Sequence, residues 1–501
     1  MYFGQFVEQL FMLMAPEALG VLVVSTVMGV VFGALPGLTA TLVVALLSSV
    51  TFGLPTEISM VALIGAYVGA IYGPSHSAIL LGIPGTSAGA ATALDGHPLA
   101  MQGYGGQTIA TATIASAIGT VVGILAMLLV IPVLVQLALK FTSFEFFLLA
   151  LFGVLICGSL TSPDMPAKGW IAGVLGLLVS TIGMETIQGF QRFTFEIPEL
   201  AGGIDVVPVI LGGFALPQII RVLRDKHDRE YAKLSTVRPY WQKLRQGWKG
   251  IARSGLIGVG IGSIPGVGED VAAWTSYDTA KKLSKEPESF GKGNIQGVIA
   301  AETANNACIG GAIIPVLTLG IPGSPPAAML LGAMWLHGVR PGPMLSFAFP
   351  NFIPHIAATL FLAALVMPVC GLLMARVTVH ILRIPTGILM PLVAMFSVLG
   401  SFALGLNVFN IYLMFLFGVL VYILEEMGYP VAPMVIGVIL GQMADVSLRR
   451  GLLVSDGSLL PFFTRPVALV LVLLIVLSFS LQSKVMLRLR DWLWRLLRRK
   501  P

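Results

Sequence analysis

Four proline–glycine pairs, each inside an apolar stretch, mark the residues of this sequence whose chemistry could bind a ligand. After Pro322-Gly323, Ser324 stands where it would cap the next helix, and Pro325 follows at a first helical position, where its missing N–H costs nothing. A helix broken within a membrane exposes N–H groups and a positive dipole end, a chemistry suited to an organic anion. The predicted substrate-binding residues are Pro36, Gly37, Thr39, Ser75, His76, Pro84, Gly85, Thr86, Ser87, Pro265, Gly266, Pro322, Gly323 and Ser324.

A second group, Thr41, Asn305 and Asn306, is predicted to bind a coupling ion. The two asparagines lie with Glu302 inside an apolar segment, where unpaired polar side chains cost free energy and face a cavity or a partner. Their oxygens, together with carbonyls freed at a break, could hold sodium, and a proton is the other candidate ion. The alternative is hydrogen bonding between helices. No other metal and no cofactor are expected.

Three further titratable residues have roles that the sequence leaves open. His76 could carry a proton or contact the substrate, or it could hydrogen-bond a neighbouring helix. Glu269 and Asp270 follow the pair at Pro265-Gly266, where they could neutralise a cation, carry a proton or complement the dipole of the next helix.

Gly323 is expected to need a positive φ, as glycines at sharp turns do.

The elements that position these residues occur twice. Each half of the chain has two Pro–Gly breaks. Leu81–Ser87 reads LGIPGTS and Leu319–Pro325 reads LGIPGSP, so the second break of the first half recurs in the second half at an offset of 238 residues, from Pro84 to Pro322. The first break recurs at an offset of 229, from Pro36 to Pro265. The arms around Pro265-Gly266 are short and have basic residues at both outer ends, a pattern typical of a re-entrant hairpin. The flanks of the first-half element at Pro36-Gly37 carry no basic residue, which allows it to be the same hairpin entered from the outside. With that orientation, the sequence predicts two inverted repeats with re-entrant or broken helices.

Composition and charge place the chain in a membrane. Of its 501 residues, 56% are hydrophobic and 11% are charged, against roughly 25% charged in soluble domains. Apolar runs long enough to cross recur throughout, so we expect an all-α polytopic protein with about 10–12 transmembrane segments, among them plain spans at 167–186 and 429–444. The cysteines Cys157, Cys308 and Cys370 are widely spaced and are expected to be packing residues.

The positive charge is confined to three segments. Residues 1–139 contain no Lys or Arg, whereas 21 of the 30 basic residues lie in 221–253, 281–292 and 484–500. The positive-inside rule places the central basic loop and the C-terminus in the cytoplasm, and lipid headgroups rather than nucleic acid suffice as their partner. The predicted organisation is a first membrane repeat at 1–222, a basic linker at 223–253, a second repeat at 254–483 and a basic amphipathic tail at 484–501.

Two other function classes are alternatives to transport. A membrane-embedded enzyme would use His76 with Ser75 or Ser77, but the sequence shows no oriented base and nucleophile, and no Gly-x-x-x-x-Gly-Lys-Ser/Thr loop for ATP hydrolysis. A passive channel would show no dependence on an ion gradient. We therefore expect a secondary active transporter and not an enzyme.

The sequence resembles the large membrane subunit of the tripartite tricarboxylate transporters over nearly its whole length. The matching motifs are Gly33–Gly37, Tyr67–Gly73, Ile83–Thr86, Ala93–Pro98, Ile264–Gly268, Ala304–Ala307, Leu319–Ser324 and Gly338–Pro343. The resemblance implies a symporter in the bacterial inner membrane that imports a tricarboxylate or another carboxylate. It also implies two partners, a small four-helix membrane subunit and a periplasmic solute-binding protein.

The sequence departs from the family pattern beside the first-half break. It has Pro74, Ser75, His76 and Ser77 after Tyr72-Gly73, where the family often has a second glycine and then serine. Leu81-Gly82 replaces a frequent Leu-Asn, and the basic pair often found near Met101-Gln102 is missing. These departures make citrate itself doubtful and leave the carboxylate open.

Overall fold

The computed structural model describes a protein that is almost entirely helical. The strands found in the described part of the chain are Gly183–Met184 and Gln191–Arg192, which pair antiparallel as a short hairpin. The described residues are 2–35, 38–83, 85–162, 165–224, 236–381, 386–403 and 406–482. The predicted amphipathic tail at 484–501 lies outside them.

The helices of the first half include two interrupted pairs, α2–α3 and α5–α6. A π-helical turn at Ala100–Tyr104 joins α6 to α7, and another at Leu211–Ala215 joins α10 to α11. The helices are α1 (Tyr2–Leu13), α2 (Pro16–Ala34), α3 (Ala40–Val50), α4 (Thr56–Tyr72), α5 (Pro74–Leu81), α6 (Ser87–Leu99), α7 (Gly105–Ala138), α8 (Ser143–Thr161), α9 (Pro166–Val179), α10 (Val206–Ile210) and α11 (Leu216–Arg224).

The helices of the second half repeat this order after a short basic helix. The interrupted pairs are now α13–α14 and α15–α16. The helices are α12 (Trp241–Gln246), α13 (Trp248–Gly262), α14 (Gly268–Lys282), α15 (Ile295–Leu319), α16 (Pro325–Leu336), α17 (Leu345–Ala348), α18 (Phe352–Ile381), α19 (Thr386–Ala403), α20 (Val408–Glu426), α21 (Val431–Val454), α22 (Pro461–Thr464) and α23 (Pro466–Gln482).

The helices have the length and composition of a polytopic membrane protein, which confirms the predicted fold class. Within the described residues, eight helical segments are long and apolar enough to cross a membrane, and five apolar helices are shorter. The number of crossing segments, about 10–12, stays a prediction. Free cysteines at 157, 308 and 370 are buried, as expected of packing residues.

Two of the plain spans have different limits from those predicted. α9 ends at Val179 rather than near 186, because Gly183, at φ 121°, turns the chain into the hairpin strand. α21 continues to Val454 instead of ending near 444. It can do so because Asp445 receives hydrogen bonds from Arg449 on the same helix face and from Arg192, so these charges are paired.

Two compact units make up the chain. The first joins Met1–Leu139 to Asp205–Glu426 and contains all four breaks. The second joins Lys140–Ile204 to the chain from Met427 onward and contains the hairpin. All the described residues that are predicted to bind the substrate or the coupling ion belong to the first unit.

The packing of the first unit repeats at the two offsets found in the sequence. A Cβ at Gly29 would lie 2.3 Å from the carbonyl oxygen of Ala66, so α2 and α4 touch backbone to backbone. The equivalent Gly258 and Ala304 give the same 2.3 Å contact between α13 and α15. One turn later, Gly33 approaches the Ala70 carbonyl and Gly262 approaches the Cys308 carbonyl, again at equivalent positions. The duplicated sequence therefore folds into duplicated packing.

The helices that follow the breaks pair across the two halves. α3, after the first break of the first half, packs on α16, which follows the second break of the second half. In the same way, α14 packs on α6. Two related halves that face one another would make this reciprocal pair of contacts. The inverted orientation of the repeats stays a prediction.

Labelling across the membrane tests that orientation. Because α13 and α14 pack against each other and both outer ends carry basic residues, cysteines placed at Gly250 and Ser284 should react with an impermeant thiol reagent from the cytoplasmic face. A cysteine replacing the exposed Gly53 serves as the opposite-face control. Reaction of the Gly250 and Ser284 positions from opposite faces would mean that the hairpin is a full span.

Candidate functional site

The break between α15 and α16 is capped as the sequence predicts. α15 ends at Leu319 and is followed by Gly320, which adopts φ 71°. The Ser324 hydroxyl then accepts the N–H of Ala327 at 3.4 Å. At the equivalent place in the first half, the Thr86 hydroxyl accepts the N–H of Gly89 at 3.1 Å. Ser324 and Thr86 are therefore matching N-caps of α16 and α6.

The expected positive φ of Gly323 is wrong. The left-handed residues at the second breaks are Gly82, at φ 64°, and Gly320. Gly323 is a glycine for lack of space, since a Cβ there would lie 2.1 Å from the carbonyl oxygen of Gly262 and 2.6 Å from the Cα of Ala312. This residue therefore allows the two breaks of the second half to approach each other.

Backbone hydrogen bonds join these two breaks directly. The N–H of Gly266 donates to the carbonyl of Pro322 at 3.1 Å, and the N–H of Gly268 donates to that of Gly323 at 3.1 Å. Gly266 and Gly268 both adopt φ 75°, a conformation that glycine takes without strain. Pro265 precedes this short ladder, so its break is held against the second one rather than open to solvent.

The structure describes the C-terminal side of the first break in the first half. Thr39 caps α3 by accepting the N–H of Leu42 at 3.3 Å. Thr41, a predicted ion ligand, is buried in the first turn of α3. The predicted residues that lie outside the described residues are Pro36, Gly37 and Pro84.

Tyr67, Glu269 and Ser324 form a buried hydrogen-bonded group that joins α4, α14 and α16. The Tyr67 hydroxyl donates to Oε1 of Glu269 at 2.5 Å, and the Ser324 hydroxyl lies 2.9 Å from the same oxygen. The two hydroxyls are 2.9 Å apart. The cap of α16 is thereby tied to a carboxylate from one half and a phenol from the other.

Asp270 occupies the N-terminal end of α6. Its Oδ1 accepts the N–H of Ala88, the second residue of α6, at 2.7 Å. The Asp270 side chain is exposed, whereas its neighbour Glu269 is buried. Beside it, the carbonyl of Ser87 accepts the indole N–H of Trp274 at 2.9 Å. A carboxylate of the protein itself therefore sits where the sequence predicts a carboxylate of the substrate.

The two capped ends differ in what they offer an anion. At the equivalent positions, Thr41 replaces Asp270 and Pro326 replaces Ala88. Because Pro325 and Pro326 have no N–H, α16 has no backbone donor at its first two positions. Of the two related ends, α6 alone keeps both donors there.

Glu302 is the centre of a second buried polar group, in the middle of α15. Its Oε1 accepts a hydrogen bond from the Thr92 hydroxyl at 2.5 Å, and its Oε2 accepts one from the Ser116 hydroxyl at 2.9 Å. Only 1% of the residue is exposed. Across the described residues, no Lys or Arg forms an ion pair with it. A proton or a bound cation would lower the free-energy cost of burying such a carboxylate.

Asn305 and Asn306 lie beside Glu302 with their amide orientations fixed by partners that accept hydrogen bonds. The amide nitrogen of Asn305 donates to the Ile71 carbonyl at 3.1 Å, and that of Asn306 donates to the Thr120 hydroxyl at 3.3 Å. Both side-chain oxygens are buried and have no hydrogen-bond donor among the described residues. Such oxygens lose the free energy of their hydration unless they bind something else.

Two of the three residues considered for an enzyme, His76 and Ser77, make structural hydrogen bonds. The His76 Nε2 lies 2.7 Å from the Tyr72 hydroxyl, which is itself 2.6 Å from the hydroxyl of Thr113. Ser77 donates to a carbonyl of its own helix at 3.1 Å. Ser75 is buried in the same helix. His76 is thus part of the contact between α4–α5 and α7.

Several residues of these groups escaped the sequence reasoning. On α7, Thr113, Ser116 and Thr120 are spaced by three and four residues, so they form one polar face, and each contacts a different residue of the site. That spacing was a usable signal. Tyr67 and Thr92 gave no such signal, because each is a single polar group in a helix.

Comparison with known proteins gives the family. The model of the tripartite tricarboxylate transporter TctA family matches residues 19–436. An uncharacterized 52.8 kDa protein in the TAR-I ttuC' 3'region of Agrobacterium vitis is 36% identical over 449 residues, covering 89% of each chain. An uncharacterized protein in the TAR-II ttuC' 3'region of the same organism is 36% identical over 208 residues, which are 42% of this chain and 86% of that relative. No solved structure matches the chain.

Proposed function

The chain belongs to the tripartite tricarboxylate transporter TctA family, and from this we propose that it is the large membrane subunit of a secondary transporter that imports a small organic carboxylate. Sodium or proton symport would supply the energy. A small four-helix membrane subunit and a periplasmic solute-binding protein would complete the system in the bacterial inner membrane. The central basic loop and the C-terminus would face the cytoplasm.

The charge of the broken-helix region carries the proposal of ion coupling. Residues 1–139, 254–280 and 293–339 contain no Lys or Arg, although they hold the buried carboxylates of Glu269 and Glu302 and the nearby Asp270. An organic anion that enters this region would add negative charge where no Lys or Arg side chain is present to balance it. Bound cations are the simplest compensation, because uncompensated charges at low dielectric cost several kcal/mol. Uptake of the anion would therefore depend on the cation.

The Glu302 group is the best candidate for that cation. It combines one carboxylate with the unpaired oxygens of Asn305 and Asn306, the latter one helical turn away on α15. Sodium is bound by oxygen ligands of this kind. A proton would bind the carboxylate but would leave the two amide oxygens without a partner. Asn305 also contacts Ile71, which lies one turn along α4 from Tyr67. The Glu302 group therefore adjoins the hydrogen-bonded group of Tyr67, Glu269 and Ser324. Thr41 remains a predicted ligand on α3.

The carboxylate of the substrate would bind at the N-terminal end of α6, near Gly85, Thr86 and Ser87. This end has its two backbone donors and the positive end of the dipole, whereas α16 begins with two prolines. Asp270 holds the position in the structure. The substrate carboxylate would replace it as the acceptor of the Ala88 N–H.

Uptake into proteoliposomes tests the proposed function. The chain, reconstituted with its small membrane subunit and supplied with the loaded binding protein, should accumulate a labelled carboxylate only when a sodium or proton gradient is imposed. Uptake that stops at equal concentrations without any ion dependence would indicate a channel. Chemical conversion of the solute without accumulation would indicate an enzyme.

Replacing Asp270 with asparagine should lower the substrate concentration that half-saturates uptake by about fivefold. An amide is a weaker competitor for the Ala88 N–H than a carboxylate, because charge-assisted hydrogen bonds are roughly twice as strong as neutral ones. Asp278→Asn is the matched control, since Asp278 lies two turns further along α14 and pairs with Lys282 at the surface. Unchanged or weaker apparent affinity in Asp270→Asn, measured by initial uptake rates, would place the carboxylate elsewhere.

A further inference from the structure

An apolar groove with a cationic rim lies beside the basic loop of the first unit. It has a volume of about 430 Å³. Ile118 and Val122 of α7 form one side, and Leu244, Ile251 and Ala252 of α12 and α13 form the other. The groove is open and almost wholly apolar, so its occupant must offer hydrocarbon.

The helices that form the groove are fixed to the core. The backbone N–H of Tyr240, just before α12, donates to the Thr111 hydroxyl at 3.0 Å, and its phenol donates to Gln107 at 2.8 Å, both on α7. The side chain of Gln296, at the start of α15, donates to the Lys243 carbonyl at 3.2 Å. Hydrogen bonds therefore hold the walls of the groove in place.

The rim of the groove has the chemistry of a lipid headgroup site. Trp241 and Trp248 are 57% and 61% exposed, and indoles in such positions favour the membrane–water interface. Arg245 lines the groove, and the Lys249 ammonium lies 5.8 Å from the ring centroid of Trp248. Residues 236–253 contain five basic residues and no acidic ones. This charge is complementary to a phosphate group and leaves the phosphate no acidic competitor on that segment.

We propose that this groove binds one anionic phospholipid, with an acyl chain between α7 and α13 and the headgroup phosphate on Arg245 and Lys249. The site joins an apolar slot to a cationic rim at the depth where tryptophans mark the interface. A zwitterionic lipid would meet the same slot but would bring a cationic group to the rim. The proposal does not depend on which solute the protein carries.

Mass spectrometry of the full-length protein released from lipid nanodiscs measures the retained lipid. In nanodiscs of equal parts phosphatidylglycerol and phosphatidylcholine, the wild type should retain one phosphatidylglycerol. The double change Arg245→Gln and Lys249→Gln should reduce that retention at least about fivefold, whereas Lys281→Gln with Lys292→Gln, an equal loss of charge in the nearby loop, should not. Equal loss in both pairs, or equal retention of the two lipids, would overturn the proposal.

A second change tests the slot without altering charge. Ala252→Phe should fill the groove and displace the lipid while Arg245 and Lys249 remain. If that variant does not fold, quenching by lipids with brominated acyl chains replaces it. Brominated phosphatidylglycerol should quench the wild-type fluorescence more than brominated phosphatidylcholine, and Trp248→Phe should reduce the difference. No difference in the wild type, or loss of the retained lipid to added inorganic phosphate, would show that the groove holds no specific acyl chain.

Discussion

Replacing Glu302 with glutamine should reduce gradient-driven uptake by on the order of tenfold or more, which corresponds to at least about 1.4 kcal/mol. The carboxylate is buried, receives hydrogen bonds from Thr92 and Ser116, and adjoins two amide oxygens without donors. Glutamine keeps the size of the side chain but removes the charge that would hold a cation. The loss should therefore appear in transport rather than in membrane abundance.

The form of that loss distinguishes the two candidate ions. If a proton couples transport, glutamine resembles protonated Glu302, so exchange of labelled for unlabelled solute should persist while pH-driven accumulation is lost. If sodium couples transport, both exchange and accumulation should fail, and Asn306→Ala should raise the sodium concentration needed for half-maximal uptake. Glu288→Gln, in the polar loop before α15, is the control for a surface carboxylate. Wild-type accumulation and ion dependence in Glu302→Gln would mean that this group only joins α6, α7 and α15.

The local features of the breaks could be predicted from the sequence. A hydroxyl residue before a helix start caps it, and Ser324 and Thr86 do so because their side chains reach N–H groups three residues ahead. The two offsets, read from repeated Pro–Gly motifs, also relate the glycines of α2 to those of α13, although the contacts of these glycines with α4 and α15 are seen only in the structure. Features set by neighbours in the chain are thus visible in one sequence.

The partners of the site residues could not be predicted in this way. Tyr67 lies 202 residues from Glu269 in the chain, and Asp270 lies 182 residues from Ala88. Which side chains meet depends on how each helix is rotated about its axis, and a polar stripe normally reveals that rotation. α4 is apolar on all sides and almost completely buried, so it shows no stripe. The sequence therefore indicates several residues of the candidate site without showing which of them touch.

Gly323 lies at the break that the sequence predicts, but it does not have the predicted conformation. A glycine after a proline suggests a left-handed turn, but the turn is made three residues earlier, at Gly320. What Gly323 provides is close approach, since its Cα faces the Gly262 carbonyl and the backbone of Ala312. Its role is therefore to hold two breaks together, which changes what a substitution there should do.

Gly323→Val should destabilise the protein by about 3 kcal/mol, the upper part of the usual range for overpacking. The new Cβ would lie 2.1 Å from the Gly262 carbonyl oxygen, an atom of the backbone that no rotamer change can move. The hydrogen bonds of Gly266 and Gly268 to the second break would also be strained. Gly323→Ala should show much of the same effect, because the clash begins at Cβ.

Thermal unfolding in detergent measures this effect through the chain's own buried cysteines. Cys157 and Cys308 are fully buried and react with a thiol dye only when the fold opens, and the Cys308 carbonyl contacts Gly262. Gly260→Ala, on the same helix as Gly262, is the matched control, since a Cβ at Gly260 meets nothing within 4 Å. That control should be neutral or slightly stabilising, because alanine favours helix over glycine. If Gly323→Ala unfolds like the wild type and yet loses uptake, Gly323 serves the substrate directly and the packing role inferred for it is wrong.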